Sequence, residues 1–264
     1  MDNDTEKLAV LKLTETSSSS IEDVVAKEFP LTIILNNREV VTLLCSPANL
    51  RYLAVGFLFS EGLLKSKDEI KKILVDDRRG VVRVETEGDE EIASDALFKR
   101  FITSGCGRGA SFYSALDAQD QVKVESRLKI STLEILALVH EFQHRSQVYR
   151  STGGVHSAAL CDISDILVFN EDIGRHNAVD KIFGACILND IATDNHILIT
   201  SGRISSEILL KIARRSVPVI VSKSAPTNLG VKLANDLGVT LVGFVRGKRM
   251  NVYTHDERIA TNGK

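Results

Sequence analysis

The stretch from Asn170 to Gly184, which reads Asn-Glu-Asp-Ile-Gly-Arg-His-Asn-Ala-Val-Asp-Lys-Ile-Phe-Gly, admits few folds. An apolar run, Ile166-Leu-Val-Phe169, stops abruptly in front of it. Val179, Ile182, Phe183, Cys186 and Ile187 then recur at the spacing that lines one helical face. The segment therefore predicts a strand, a polar turn and a helix, with Asn170, Glu171 and Asp172 supplying acceptors for the first free N–H groups. The opposite helical face carries Arg175, His176, Asn177, Asp180 and Lys181. His176 and Asp180 are four apart and so are neighbours on the helix surface. That face meets either a ligand or solvent.

A chain of 264 residues, 44% of them apolar, can fill one large core or two ordinary ones. With a formal net charge of −2 and both signs interspersed, nothing argues for a nucleic-acid or membrane-surface partner. No apolar run approaches the length of a membrane span, and the acidic start, Met1-Asp-Asn-Asp-Thr-Glu, lacks a signal peptide's basic and apolar regions. A cytoplasmic location is expected. Cys45, Cys106, Cys161 and Cys186 are too scattered for a disulfide framework and suit a reducing compartment.

Residues 1–20 are polar, end in four serines and read as a polar tail or a short edge segment. Residues 21–126 read as an N-terminal α+β domain. Leu31–Leu35 and Val40–Leu44 flank a polar turn as a β-hairpin. Ser46-Pro47 has the form of a helix start, with the helix running through Leu53, Val55, Phe57 and Leu58 to about Gly62. Asp68–Leu74 suggests a short helix and Arg79–Glu85 a strand.

Next comes Phe101-Ile-Thr-Ser-Gly-Cys-Gly-Arg-Gly-Ala110, with three glycines around one cysteine. Glycine permits positive φ and close approach of another molecule, so Cys106 is expected in an accessible loop. The Arg108 guanidinium two residues on favours the thiolate, the reactive form of sulfur. Cys161 and Cys186 instead fall in apolar strand and helix patterns and read as small core residues.

Residues 127–264 read as a C-terminal α/β domain. Ser131-Thr-Leu-Glu134 is a capping box, opening a helix through Leu133, Leu136, Ala137, His140 and Phe142 to about His144. His156 opens a strand after the Gly153-Gly154 turn and reads as a structural histidine. Beyond the central stretch, strands at 196–200, 217–221 and 239–242 alternate with helices at 204–215 and 227–237. This is a sheet with helices on its faces.

In such sheets anions bind where strand ends meet helix N-termini. Loops 170–176, 200–203 and 222–228 qualify, and with Arg175, His176, Arg203 and Lys223 they could hold a phosphorylated ligand. Phe244-Val-Arg-Gly-Lys-Arg249 adds a basic turn at the end of another strand. None is a P-loop or a dinucleotide fingerprint, and any one alone could be an ordinary polar turn. Their recurrence at equivalent strand ends carries the argument.

Thr152-Gly-Gly-Val-His-Ser157, Asn170–Lys181, Ser201-Gly-Arg203 and Ser224-Ala-Pro226 together resemble the motifs of the FdhD/NarQ family of formate dehydrogenase accessory proteins, from about Leu31 to His255. The resemblance implies a cytoplasmic sulfurtransferase, a carrier that takes persulfide sulfur from a cysteine desulfurase. The acceptor it implies is the bis-guanylyl molybdenum cofactor, Mo-bis(molybdopterin guanine dinucleotide), of formate dehydrogenase; a guanine nucleotide would mimic part of it. It further implies a three-layer α/β/α, cytidine-deaminase-like C-terminal domain, a homodimer, and Cys106 as the sulfur-carrying residue. Binding of the guanine dinucleotide is implied for the segment Phe244, Val245, Arg246, Gly247, Lys248 and Arg249.

Many members of that family carry a CxxC pair in the loop, whereas this chain reads Cys106-Gly-Arg-Gly109. One thiolate suffices to accept and pass on sulfur. The alternative is a non-catalytic chaperone that binds the molybdenum cofactor for formate dehydrogenase. A zinc nucleoside deaminase would need an H-x-E element and a later P-C-x-x-C. His156 is followed by Ser157-Ala158 and no CxxC exists, so no metal is expected.

Overall fold

The computed structural model describes residues 4–87 and 123–260; the Cys106 loop lies outside them. The chain opens with β1 (Thr5–Leu13) and β2 (Ser18–Ala26), paired antiparallel with Val10 opposite Ile21 and Leu13 opposite Ser18. Much of the expected polar tail over 1–20 is thus hairpin. The Ser17 N–H donates to Thr14 Oγ1 at 3.0 Å and closes the turn, while the serine run, too polar to read as a strand, pairs through its backbone.

Four strands follow: β3 (Phe29–Leu35), β4 (Arg38–Cys45), β5 (Ile70–Asp76) and β6 (Val81–Thr86), in the order β4-β3-β6-β5. Leu31, Ile33 and Leu35 alternate into a core covered by α1 (Leu50–Ser60). Two expectations shift. Asn49, in the left-handed region at φ 58, precedes α1, so the helix starts later than Ser46-Pro47 suggests. Ser46 is engaged elsewhere: its N–H donates to Asp172 Oδ2 at 3.0 Å and its Oγ accepts from the Ile173 N–H at 3.2 Å. Residues 70–76 form β5 rather than a helix, because pairing with β6 outweighs local helix preference.

The larger unit contains β7 (Ile130–Ser131), α2 (Thr132–Arg145), α3 (Gln147–Thr152), β8 (His156–Cys161), β9 (Ile166–Asp172) and α4 (Arg175–Leu188). It continues through β10 (Ile197–Thr200), α5 (Ser206–Arg214), β11 (Val219–Ser222), α6 (Asn228–Asp236), β12 (Thr240–Arg246), β13 (Arg249–Thr254) and β14 (Ile259–Ala260). Six strands form one sheet, β13-β12-β11-β10-β8-β9, in which β10, β11 and β12 run parallel and β8, β9 and β13 antiparallel to their neighbours. The sheet is buried on both faces. Leu160, Leu198, Ile220 and Leu241 meet α4, α5 and α6 on one side. Cys161, Ile197, Ile199, Val219 and Val221 meet α2 on the other. This is the mixed α/β architecture expected. Val124, just inside the described residues, packs in the first of these cores.

The polar face of α4, for which the sequence left ligand and solvent both open, is in large part turned into the fold. Asn177, Asp180 and Lys181 are all buried, because α1 lies across them. Two glycines set the closeness: a Cβ at Gly56 would stand 1.8 Å from the Asp180 carbonyl oxygen, and one at Gly184 1.9 Å from that of Tyr52. The buried charges are matched. Lys181 Nζ lies 2.7 Å from Asp172 Oδ2, both side chains 0% exposed, and Lys211 Nζ reaches both Asp180 oxygens at 2.8 and 2.9 Å. Nor does α4 take a side-chain cap; β9 runs on to Asp172, Gly174 is the N-cap, and Asp172 Oδ1 accepts the Gly174 N–H at 2.8 Å.

Candidate functional site

The parallel strands β10, β11 and β12 end side by side, and antiparallel β8 begins beside them. The residues following these ends therefore converge: Ser201 after β10, Lys223 and Ser224 after β11, Arg246 and Gly247 at the end of β12, His156 and Ser157 at the start of β8. They line one side of a cleft of about 850 Å³. The facing wall is the end of α2 with Tyr149 and Arg150 of α3 and the Gly153-Gly154 turn. A cleft of this size suits a nucleotide-sized ligand at the place where open α/β sheets bind one.

Short polar side chains hold the rim. Ser201 Oγ accepts from the Ser157 N–H at 3.0 Å and stands 3.4 Å from His156 Nδ1. Ser222 Oγ donates to the Gly202 carbonyl at 2.7 Å and accepts from the Ser224 N–H at 2.9 Å, tying two strand-end loops together. Arg246 Nε donates to the Lys223 carbonyl at 3.3 Å. On the other wall, the Glu171 carboxylate accepts the Val148 and Tyr149 N–H groups, each at 3.0 Å, and so seats α3. Gly153, at φ 65, ends that helix in the left-handed region and its N–H donates to the Tyr149 carbonyl at 2.7 Å.

The lining is cationic. Arg150, Lys223 and Arg246 contribute charge, and among the described residues no carboxylate lines the cleft. Burial, then the Arg246 guanidinium, lowers the Lys223 pKa. His156 is also lowered, by burial first and Arg175 second, with Asp172 opposing, so its ring is neutral near pH 7. Neutral donors and fixed cations facing one cavity are suited to phosphate or pyrophosphate.

Of the residues singled out by sequence, Lys223, Arg246 and Gly247 line the cleft. Val245 cannot contribute its side chain, which is fully buried under the sheet because β12 alternates its faces. Phe244 near the end of β12, Lys248 in the following turn and Arg249 at the start of β13 are exposed, outside the lining. Arg203 is exposed elsewhere, and Arg175 packs its Cβ over Gly202 behind the rim. His176 is set further back. Its Nε2 lies 3.2 Å from Glu207 Oε2, at an angle that makes no hydrogen bond. Burial, with Lys211, Arg175 and His156 around it, pushes its pKa down to about 3.

Cys106 falls outside the described residues. Sequence reasoning passed over Ser146, held by the Phe142 carbonyl and Ser157 Oγ, and over Tyr149 and Arg150 on α3, which Glu171 seats. It read His156 as structural, although the histidine lies on the cleft wall. The quoted Thr152–Ser157 motif was the available signal for both.

Comparison with known proteins bears on the family and the overall fold. The FdhD/NarQ family profile matches residues 26–260. The "Sulfur carrier protein FdhD" of Bacillus subtilis (strain 168) is 45% identical over 241 residues, covering 91% of this chain and 92% of that protein. The Bacillus pumilus (strain SAFR-032) protein of the same name is 46% identical over 237 residues, 90% of each chain. A crystal structure assigned to a formate dehydrogenase accessory protein from Desulfotalea psychrophila superposes with a TM-score of 0.82 at 29% identity, covering 97% of this chain and all of that one. With a profile match across most of its length and such relatives, the chain belongs to the FdhD/NarQ family.

Proposed function

We propose that this chain is a sulfurtransferase of the carrier type that serves formate dehydrogenase. Cys106 takes sulfur from a cysteine desulfurase and passes it to the bis-guanylyl molybdenum cofactor, which is its substrate. The observation that carries the reading is the cleft: three cations, no carboxylate among its described residues, and a position at the ends of parallel strands. Those are the requirements for holding a dinucleotide by its phosphates. Lys223 and Arg246 would bind the phosphates, with Arg150 facing them across the cleft. The names of the two relatives, 45% and 46% identical, support the sulfur half of the proposal.

In the loading step the Cys106 thiolate attacks the outer sulfur of the donor persulfide. The donor's S–S bond breaks, its cysteine leaves as a thiolate, and a new S–S bond on Cys106 holds the sulfur. Arg108, two residues away, favours the thiolate. We further propose that residues 127–264 form a domain of cytidine-deaminase-like descent whose core also takes in Val124, that residues 21–126 otherwise form the second domain, and that the chain works in the cytoplasm as a homodimer.

Mass spectrometry after incubation with a desulfurase and cysteine, without reductant, tests the carrier step. One added sulfur is expected on the Cys106 peptide, discharged when cofactor or apo-enzyme is supplied, and Cys106→Ala should abolish maturation of the dehydrogenase. One feature favours a second reading, a cofactor chaperone without sulfur chemistry: Gly109 stands where many members carry a second cysteine. Unmodified Cys106 with retained binding of a guanine nucleotide would replace the carrier reading with the chaperone.

A further inference from the structure

Helix α2 carries His140-Glu-Phe-Gln-His144, and the sulfur-carrier reading leaves it unused. Histidines four apart share one helical face. In zinc peptidases the same spacing supplies two ligands, with the glutamate as general base. Here the glutamate is engaged: Glu141 Oε1 accepts from Arg145 Nε at 2.9 Å. Among the described residues no group of three or more His, Cys, Asp or Glu converges, so a closed three-ligand centre is not built here. Two histidines remain.

Their rings lie 4.3 Å apart between centroids, tilted by 49°. His144 Nδ1 stands 2.8 Å from the His140 carbonyl oxygen. A carbonyl can only accept, so Nδ1 carries the hydrogen and the neutral ring keeps its lone pair on Nε2. A backbone carbonyl on one ring nitrogen is how metal-binding histidines are oriented for coordination through the other. Both side chains are exposed, so a hydrated cation reaches them without opening the fold, and His144 also lines the cleft.

We propose that His140 and His144 form a two-histidine site for a borderline divalent cation such as zinc, nickel or copper(II), at the rim of the cleft. Imidazole selects these ions over magnesium or calcium, which take oxygen ligands. Lys223 and Arg246 line the same cleft and disfavour a bare cation there. The remaining coordination positions therefore fall to water and to an anionic ligand in the cleft.

The test uses the full chain carrying Cys106→Ala, which removes the thiol as a competing ligand and separates the outcome from that of sulfur loading. Zinc is titrated by calorimetry, and copper(II) is examined by electron paramagnetic resonance. One equivalent of zinc is expected, with nitrogen splittings from two imidazoles in the copper spectrum. A second ligand on the same helix turn binds intramolecularly, so His140→Gln and His144→Gln should each weaken zinc by at least about tenfold. Both residues are exposed, and unchanged circular dichroism would confirm that the variants are folded. Affinity indifferent to both substitutions, or a copper spectrum with a single nitrogen, would overturn the site and mark any bound metal as adventitious.

Discussion

Asp172 and Lys181 sit at the joint between the two sheets with every polar atom used. Asp172 Oδ1 accepts from the Gly174 N–H and Asn177 Nδ2, and Oδ2 from the Ser46 N–H and Lys181 Nζ. Lys181 Nζ spends its other two hydrogens on the Ser46 and Glu171 carbonyls, at 3.1 and 3.4 Å. A buried pair so fully hydrogen-bonded adds little over an apolar pair, but removing one partner strands the other charge. Lys181→Met should therefore lower unfolding free energy in urea by about 3–5 kcal/mol. Adding Asp172→Asn should recover part of the loss, and a loss below about 1 kcal/mol would show that the pair is not the buried joint described. His176 gives a second residue-level expectation. Its folded pKa, about 3, is below the unfolded value of about 6.5. As pH falls between these values the unfolded state takes up the proton and the folded state does not. Stability is therefore intact above about pH 6.5 and falls by up to about 1.4 kcal/mol per unit below it. His176→Gln should flatten that slope in urea titrations at successive pH values; an unchanged slope would assign the acid sensitivity elsewhere.

Elements were legible where the chain carries its own start and stop signals. The capping box of α2 is present as read: Ser131 Oγ accepts the Glu134 N–H at 3.2 Å, and Glu134 Oε2 accepts the Ser131 N–H at 2.6 Å. Which face of that helix turns inward was not legible. Ile135, Leu138, Val139 and Phe142 fill the core while Leu133 is 63% exposed, because apolar residues occur on both sides and the sheet decides between them. The same limit hid the fate of α4. Asn177, Asp180 and Lys181 read equally well as facing ligand or solvent until α1, distant in sequence, packs on α4 and buries them. Only the glycines hinted at that contact, since close helix approach needs a position without a Cβ. Gly184→Ala would drive its methyl into the Tyr52 carbonyl, a rigid backbone atom rather than a side chain that can turn aside. The helices would have to separate, at a cost of about 1–3 kcal/mol or more, visible as a lower denaturation midpoint. Gly62→Ala, in open space but at φ 75, is the control for backbone strain alone and should cost about 1 kcal/mol. If the two variants lose equally, close packing is not what Gly184 provides.

Across the whole molecule, charge is arranged locally rather than in bulk. A net charge of −2 hides a cleft whose described lining is cationic, so composition could exclude a general polyanion surface but could not locate a specific anion site. Strand ends were the legible part. Lys223 and Arg246 could be placed from the rule that ligands sit beyond the carboxyl ends of parallel strands. Arg150 could not, because its place depends on Glu171 seating α3 against the far wall. If the cleft holds a guanine dinucleotide by its phosphates, GDP should bind as a fragment of it and the cations should share the task. Losing one charge-assisted hydrogen bond costs about 1.5–3 kcal/mol, so Arg246→Ala should weaken GDP by about tenfold or more in calorimetry. Lys223→Ala should act similarly, and both variants should show a shallower dependence of affinity on salt, since fewer charges face the phosphates. Arg203→Ala supplies the contrast, because that guanidinium is exposed outside the lining. Equal losses in all three variants would mean that GDP responds to the field of the whole surface, whereas loss confined to Arg246 and Lys223 would place the phosphates in the cleft.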